Sequence, residues 1–456
     1  MVIPSMPSPC GSEARLPYCR GQILAEILAA GARVIFLRGG QIDSSSSREE
    51  NASGRSPPVS VREVTLDSGT AYGRPRPSYD AALVEVAPGT PAGEMLRRYW
   101  HPVGVAADIT TRPQKVRMLG EDLILFRDGK GRPGLLYPRC GHRGTTLYYS
   151  KVESSGIRCC YHGWLFDVEG RCLDISCEPP DKNTSDRYRE TFRQPWYPVQ
   201  EYLGLLFAYL GPPEKKPVLP RYDVFDDLPA DEEMVADGNN IGLEGESTPC
   251  NWLQTHENVM DPYHVFVLHS SNSGNQFVPL MGLLPDVTWE YTALGVKSHQ
   301  DRRLPDGKLF HRVTEVMMPT LRIVASPFVK RYGRTDSVAW TLPIDDTTTK
   351  IFTLYRTPKG ERVSRVRFNG KRWAELTEEE HRRMPNDYEA QVGQGAITLH
   401  SEEHLAASDR GVVMFRRLLR QQIEAVRAGR DPLGVTFDPA RATVTVEAGN
   451  FILEPA

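Results

Sequence analysis

The sequence has little cysteine, no long apolar run and no excess of charge of one sign. Eight cysteines in 456 residues are too few for a disulfide-stabilised secreted scaffold. The 55 basic and 58 acidic residues leave a net charge of −3, which provides no field that would favour nucleic acid or an anionic membrane. The most apolar stretch, residues 23–37, is interrupted by Glu26 and Arg33. Neither a membrane anchor nor a secretory signal is therefore expected, and the cytoplasm is the expected compartment.

Two motifs of redox proteins are also absent from the sequence. No Gly-rich dinucleotide fingerprint follows a predicted strand, and no four cysteines have the spacing of a plant-type ferredoxin. With 40% hydrophobic and 25% charged residues, the composition is that of a globular protein of two or three domains. Chemistry that uses NAD(P)H would therefore require a second protein.

Local composition divides the chain into four segments. Residues 1–77 are rich in Ser, Pro and charge, which predicts a disordered N-terminal extension, and residues 78–97 are expected to be helical. Residues 98–215 consist of short apolar segments between turns, which predicts a small antiparallel β domain. Residues 216–456 alternate strand-like runs with helical stretches and predict a mixed domain in which helices cover an antiparallel sheet. The expected fold class is α+β.

Two helices have clear signals of their own. Thr90 and Pro91 are placed as the N-cap and first residue of a short helix. Within residues 409–429, apolar residues recur with the 3.6-residue period of an amphipathic helix.

Cysteine and histidine alternate in two short motifs of the predicted β domain. "CGHRG" places Cys140 and His142 two residues apart, and "CCYHGW" places Cys159 and His162 three residues apart. A zinc finger groups its cysteines in one half and its histidines in the other, whereas each half here supplies one of each. Mixed halves are typical of a Rieske 2Fe-2S centre, in which one iron binds two cysteines and the other two histidines. A structural zinc site is the alternative.

The neighbouring Cys160 does not have the spacing to His162 that Cys159 has. We expect Cys160 to be a buried small side chain rather than a metal ligand.

A second cluster of metal-binding residue types lies in "ENVMDPYHVFVLH", where Asp261, His264 and His269 are spaced as D-x2-H-x4-H. A non-haem Fe(II) site that binds O2 needs two imidazoles and one carboxylate on one face of the metal. On an ideal helix, residues five apart point about 140° apart, so the helix must be distorted for both imidazoles to reach one ion.

Taken together, "CGHRG", "CYHGW" and the pattern E-N-x2-D-x2-H-x4-H resemble the Rieske non-haem iron oxygenases. Respiratory Rieske proteins carry one further cysteine in each loop, where this chain has Thr145 and Tyr161, so the resemblance is to the oxygenase branch. "RMLGEDLILFRD" and "SEEHLAASDRGVVMFRRLL" are most similar to the subgroup that includes phthalate dioxygenase and 5,5'-dehydrodivanillate O-demethylase.

The resemblance implies roles for individual residues. His264 and His269 would bind a mononuclear Fe(II), and Asp261 would pass electrons from a Rieske histidine of the neighbouring subunit in a homotrimer. Asn258 would contact a residue that binds the iron. His256 lies outside the motif and is interpreted as a packing residue or as a residue that contacts the iron-binding side chains.

A distant carboxylate must complete the iron site. Asp387, in "NDY", lies in a segment that resembles the third-ligand region of the family. Asp345 and Asp346 have an adequate explanation as turn residues, and Asp409 as a helix cap.

The resemblance implies the function of an oxygenase component that receives electrons from NAD(P)H through a separate reductase and possibly a ferredoxin. The expected reaction is O-demethylation of a methoxylated aromatic compound, with ring dihydroxylation of the phthalate dioxygenase type as the alternative. An electron carrier without catalytic iron is a remote alternative. Residues 270–284 and 317–328 are expected to form pocket walls, and Arg322 or Arg331 could bind a substrate carboxylate.

Overall fold

The computed structural model describes residues 74–178, 184–239, 247–274, 276–329, 331–361, 366–368, 371–372 and 375–454. Residues 1–73 of the predicted N-terminal extension lie outside the described residues. No helix among the residues described has the length and apolar character needed to cross a bilayer.

The α-helices are short except for the last. They are α1 (Ala81–Val84), α2 (Pro91–Leu96), α3 (Thr184–Thr191), α4 (Trp252–Glu257), α5 (Tyr263–Phe266), α6 (Glu378–Arg383), α7 (Asp387–Val392) and α8 (Arg410–Arg427). Single 3-10 turns lie at Ala106–Asp108, Leu147–Tyr149, Pro213–Lys215, Asp223–Phe225, Asn258–Met260, Pro279–Gly282, His400–Glu402, Ala407–Asp409 and Pro439–Arg441.

Both helix predictions are confirmed. The Thr90 hydroxyl caps α2 by accepting a hydrogen bond from the Gly93 amide at 3.2 Å, and Pro91 is the first residue of the helix. Helix α8 buries Phe415 and Leu419 on the predicted apolar stripe.

The first β region contains the strands β1 (Trp100–Val105), β2 (Gln114–Met118), β3 (Glu121–Arg127), β4 (Pro133–Leu136), β5 (Lys151–Glu153), β6 (Gly156–Arg158), β7 (Trp164–Phe166), β8 (Cys172–Ile175), β9 (Trp196–Tyr197), β10 (Val199–Tyr202) and β11 (Leu205–Tyr209). They form three small antiparallel sheets with strand orders β1-β11-β10, β2-β3-β4-β9 and β5-β6-β7-β8. A separate small core that contains Phe126, Trp164 and Phe166 lies beneath the two Cys/His motifs.

The second region contains the strands β12 (Arg221–Tyr222), β13 (Glu232–Asp237), β14 (Asp286–Tyr291), β15 (Gly295–Arg303), β16 (Leu309–Met317), β17 (Leu321–Val324), β18 (Gly333–Arg334), β19 (Ser337–Asp345), β20 (Thr348–Pro358), β21 (Val366–Phe368), β22 (Lys371–Arg372), β23 (Thr443–Val444) and β24 (Gly449–Leu453). It is built on one large antiparallel sheet with the strand order β13-β20-β19-β17-β16-β15-β14, and β24 pairs with β16 and β18.

Helices cover this sheet, as expected. Helix α8 packs against β14 and β15, and the Trp289 indole donates a hydrogen bond to the Met260 carbonyl at 3.1 Å. The α+β class and the helix-covered antiparallel sheet are therefore confirmed.

Candidate metal centres

The two Cys/His motifs form matching turns at one end of the first β region. In each turn the glycine four residues after the cysteine donates its amide to the carbonyl of that cysteine, Gly144 to Cys140 at 2.8 Å and Gly163 to Cys159 at 3.1 Å. Gly144 and Gly163 have φ angles of 73° and 71°, a left-handed conformation that favours glycine. The same backbone device therefore presents one cysteine and one histidine from each loop.

The structure brings the four predicted side chains together. Cys140 and Cys159 are buried, and burial raises the pKa of the Cys140 thiol to about 11, with a further increase from the neighbouring Cys159 thiol. The rings of His142 and His162 lie nearer the surface, with their centroids 4.6 Å apart. The thiols thus lie on the inner side and the imidazoles on the outer side of the site, the segregation that a Rieske cluster requires.

The burial prediction for Cys160 is wrong, because this thiol is exposed. Neighbouring residues of the tight turn point to opposite sides, so that Cys159 faces the small core while Cys160 faces solvent.

A buried glutamine that sequence reasoning missed supports the first loop. The Gln194 side chain is fully buried, accepts a hydrogen bond from the Gly141 amide at 2.8 Å and donates to the Arg139 carbonyl at 2.7 Å. Phe192 lies so close to Gly141 that a Cβ there would be only 2.1 Å from its ring. No local pattern marks Gln194, because its partners are more than 50 residues away in the sequence.

The predicted distortion between His264 and His269 is a π-helix at Val267–Asn272, which follows α5. A π-helix pairs residues five apart, so it rotates His269 onto the same face as His264. The two ring centroids are 5.4 Å apart.

Asp387 completes a group of three at the start of α7. Its Oδ1 lies 3.5 Å from His264 Nε2 and 3.4 Å from His269 Nε2, and the three candidate ligand atoms lie within 4.8 Å of one another. Burial alone would raise the pKa of Asp387, but the hydrogen bond from His269 and the charge of His264 hold it below its ordinary value. Two imidazoles and one carboxylate at these separations fit a single Fe(II) with open positions.

Two amide side chains hold this group in place. The Asn258 side chain donates to Asp387 Oδ1 at 3.0 Å, the neighbouring position expected for it. Gln276 Oε1 accepts from His269 Nδ1 at 2.8 Å, and its amide nitrogen donates to the Pro385 carbonyl at 3.0 Å. Such contacts set the ring orientation of a ligating histidine. Sequence reasoning placed Gln276 only in a pocket wall.

Asp261 both caps α5 and contacts His264. Its Oδ1 accepts the Tyr263 amide at 3.0 Å and the His264 amide at 3.3 Å, while its Oδ2 lies 3.6 Å from His264 Nδ1. Its side chain is 31% exposed, so one side of the carboxylate faces outwards. Burial raises the pKa of Asp261, but the hydrogen bond and charge of His264 and the amides of Tyr263 and His264 together outweigh that effect, so the net shift is downwards.

The competing side chains have other partners. Asp345 pairs with Arg117 at 3.2 Å, Asp346 accepts the Val86 amide at 2.8 Å, and the Asp409 carboxylate accepts a backbone amide at 2.7 Å. Asp345 has the expected turn role, since it also accepts the Thr347 amide at 3.1 Å. The cap expected of Asp409 is not made, because its side chain accepts no amide of α8.

His256 is a packing residue. Its Nδ1 lies 3.1 Å from the Thr341 hydroxyl, its ring packs on Phe415, and burial lowers its pKa to about 3.

A buried ion-pair cluster fixes the helix that precedes the histidines. Arg416 contacts both carboxylate oxygens of Glu257 at 2.7 and 2.5 Å, and those of Glu403 at 2.8 and 2.5 Å. This cluster ties α4 to α8.

Of the two arginines predicted for substrate binding, Arg331 pairs with Glu232 at 2.9 Å, so its charge is already paired with a carboxylate of the protein. Arg322, on β17, donates to the Thr255 carbonyl at 3.4 Å. Burial lowers the pKa of Arg322, and the charge of Asp387 opposes that shift.

Two further arginines are buried without a carboxylate partner among the described residues. Arg302 donates a hydrogen bond from Nε to the Leu283 carbonyl at 3.0 Å, and both of its terminal nitrogens lack a hydrogen-bond partner. Arg312 donates to the Asn450 side chain and the Ala325 carbonyl. The carbonyls of Leu283 and Ala325 belong to the two predicted pocket walls.

Comparison with known proteins agrees with this geometry. Residues 99–198 match the family model described as Rieske [2Fe-2S] domain. The chain is 50% identical to phenoxybenzoate dioxygenase subunit alpha of Ectopseudomonas oleovorans, over 84% of this chain and 94% of that protein. It is 33% identical to the oxygenase subunit of 5,5'-dehydrodivanillate O-demethylase of a Sphingobium species, over 78% and 82% of the two chains. NdmB of Pseudomonas putida CBB5 has a similar fold, with a TM-score of 0.55 at 20% identity over 77% and 95% of the chains.

Proposed function

Because the chain belongs to the Rieske oxygenases, which are oxygen-incorporating oxidoreductases, we propose that it oxygenates an aromatic carboxylate that carries an ether oxygen. In this proposal it is the oxygenase component of a multicomponent system, with electrons from NAD(P)H delivered by a separate reductase, directly or through a ferredoxin. The observation that carries the proposal is the convergence of His264, His269 and Asp387, together with two buried arginines, Arg302 and Arg312, that donate to carbonyls of the two predicted pocket walls.

Each site has the residues for its cofactor. Cys140, His142, Cys159 and His162 would hold the 2Fe-2S cluster, and His264, His269 and Asp387 would hold Fe(II). When bound, the two groups supply single electrons and O2 activation, respectively.

The protein's own part is positioning. Asp261 contacts His264, and its side chain is 31% exposed. A homotrimer in which electrons reach His264 from a neighbouring subunit through Asp261 is part of the proposal.

The substrate class rests on Arg302 and Arg312. A guanidinium stays charged in a protein, and a buried charge without a counter-charge is costly. A carboxylate of the substrate would supply that counter-charge with paired hydrogen bonds. The names of both relatives denote aromatic ether carboxylates, which supports the same class.

Two reactions fit such a substrate. Dioxygenation at the ring carbon that bears an aryl ether gives a hemiketal that expels a phenol, and the relative at 50% identity is named a dioxygenase. Hydroxylation of a methoxy carbon gives a hemiacetal that releases formaldehyde, which corresponds to the relative named an O-demethylase. We place dioxygenation first and O-demethylation second.

The test is turnover of a phenoxybenzoate and a methoxybenzoate with a reconstituted reductase, with phenol, formaldehyde and cis-diol measured separately. Phenol release supports the first reaction and formaldehyde the second. Arg302→Met should raise KM for the carboxylates by about 10–100-fold, because a charge-assisted hydrogen bond to the substrate is lost. It should leave KM for the matching neutral amides unchanged. Turnover of neither substrate, or equal KM changes for acid and amide, would contradict the assignment.

A further inference from the structure

Four ionisable side chains form a row of contacts on the large sheet. None of them belongs to the candidate iron site. Glu290 lies on β14, His299 and Asp301 on β15, and His311 on β16. Glu290 Oε1 is 3.2 Å from His299 Nε2, and Asp301 Oδ1 is 2.6 Å from His311 Nδ1. Between the rings, His299 Nδ1 faces His311 Nε2 at 3.4 Å. The two imidazole side chains are 31% and 21% exposed, so solutes can reach them.

The hydrogen bonds of these four side chains leave a place for a cation between the two imidazole rings. A neutral imidazole has one N–H and one lone pair, and a carboxylate only accepts hydrogen bonds. Both carboxylates are satisfied when His299 directs its N–H to Glu290 and His311 directs its N–H to Asp301. Both inner nitrogens are then left with lone pairs that face each other, an arrangement that a cation between them would stabilise.

We propose that His299 Nδ1 and His311 Nε2 bind a divalent transition-metal ion of the Zn²⁺ class at the sheet surface, with water in the remaining positions. In a tetrahedral zinc site with Zn–N bonds of about 2.0–2.1 Å, two ligand nitrogens lie about 3.4 Å apart. That matches the observed separation of the inner nitrogens. Each imidazole donates its other N–H to a carboxylate, the outer contact that ligating histidines usually make.

The surrounding charges favour a cation. Lys297 is one nearby positive group, and it is held by Glu447 and lies 3.4 Å from Glu290. Asp301 adds a third carboxylate, so the three acidic groups outnumber the ammonium. Phe451 packs against the His311 ring, with the ring centroids 6.2 Å apart.

The test uses the full-length, iron-loaded protein titrated with Zn²⁺ by calorimetry, followed by metal analysis after desalting. We expect the wild type to bind one zinc per chain, and we expect His299→Ala and His311→Ala each to abolish this binding. Asp301→Asn should weaken zinc binding by about 10–100-fold, the usual effect of losing an outer contact. His404→Ala, which alters an exposed histidine elsewhere, should bind zinc like the wild type.

Oxygenase turnover without added zinc should be unchanged in the His299 and His311 variants, which separates this site from the iron site. Wild-type protein that takes up no zinc, or equal uptake by the wild type and both histidine variants, would overturn the proposal.

Discussion

The two candidate metal centres differ in how far apart in the sequence their residues lie. Cys140, His142, Cys159 and His162 come from two short turns of the same design, each closed by a glycine with a positive φ. The iron group instead joins a π-helix to Asp387 at the start of α7, more than 100 residues downstream. The first site is shaped mainly by local backbone geometry, whereas the second depends on packing between distant elements.

This difference predicts how each site responds to mutation. A change within a Rieske turn should affect the cluster alone. The iron site should also respond to residues that never contact the metal, because Asn258, Gln276 and the Arg416 cluster hold its elements together.

The largest effect is expected for Asp387→Ala, which removes the carboxylate from the iron group. Turnover with a reconstituted reductase should fall to background, while the visible absorption of the cluster should remain. Asp345→Ala, at the competing carboxylate, should keep both properties. An active Asp387→Ala enzyme would move the third ligand elsewhere.

Neighbouring cysteines provide the sharpest comparison at the other centre. Cys159→Ala should abolish the cluster absorption in the visible spectrum, because a buried thiolate is lost. Cys160→Ala should leave the spectrum unchanged, because that thiol faces solvent. The reverse pattern would refute the choice of Cys159.

Arg416→Ala should destabilise the protein by about 3–5 kcal/mol, because it leaves the buried Glu257 and the half-buried Glu403 without their partner. Arg420→Ala, on the same helix, removes an exposed ion pair with Asp80 and should cost about 0–1 kcal/mol. Urea unfolding of both variants measures the difference. Equal losses of stability would show that the buried cluster does not stabilise the packing of α4 on α8.

A smaller effect is expected for Gln276→Ala, which removes the contact to His269 Nδ1. Iron affinity should fall by about 10–100-fold without loss of the cluster absorption. Gln394→Ala, at an exposed glutamine near α7, is the control. Unchanged affinity in Gln276→Ala would show that the π-helix alone orients His269.

Residue spacing and family resemblance identified both groups, since motifs with short spacings are visible in a sequence. The resemblance is confirmed by the 50% identical relative. Asp387 depended on the resemblance, because no periodicity connects it to the histidines. Gln194 and Gln276 were not assigned their contacts, because a side-chain amide that bonds to a distant loop leaves no local pattern. The exposure of Cys160 depends on the direction of one residue in a turn, which spacing does not determine.

The domain boundaries stay a prediction, although the matched residues 99–198 lie within the predicted β domain of residues 98–215.

Iron and sulfide analysis of purified protein tests the two-centre account most directly. The account predicts about three irons and two sulfides per chain, with about two irons and an unchanged visible spectrum in His264→Ala. About two irons in the wild type, or loss of the visible spectrum in His264→Ala, would contradict it.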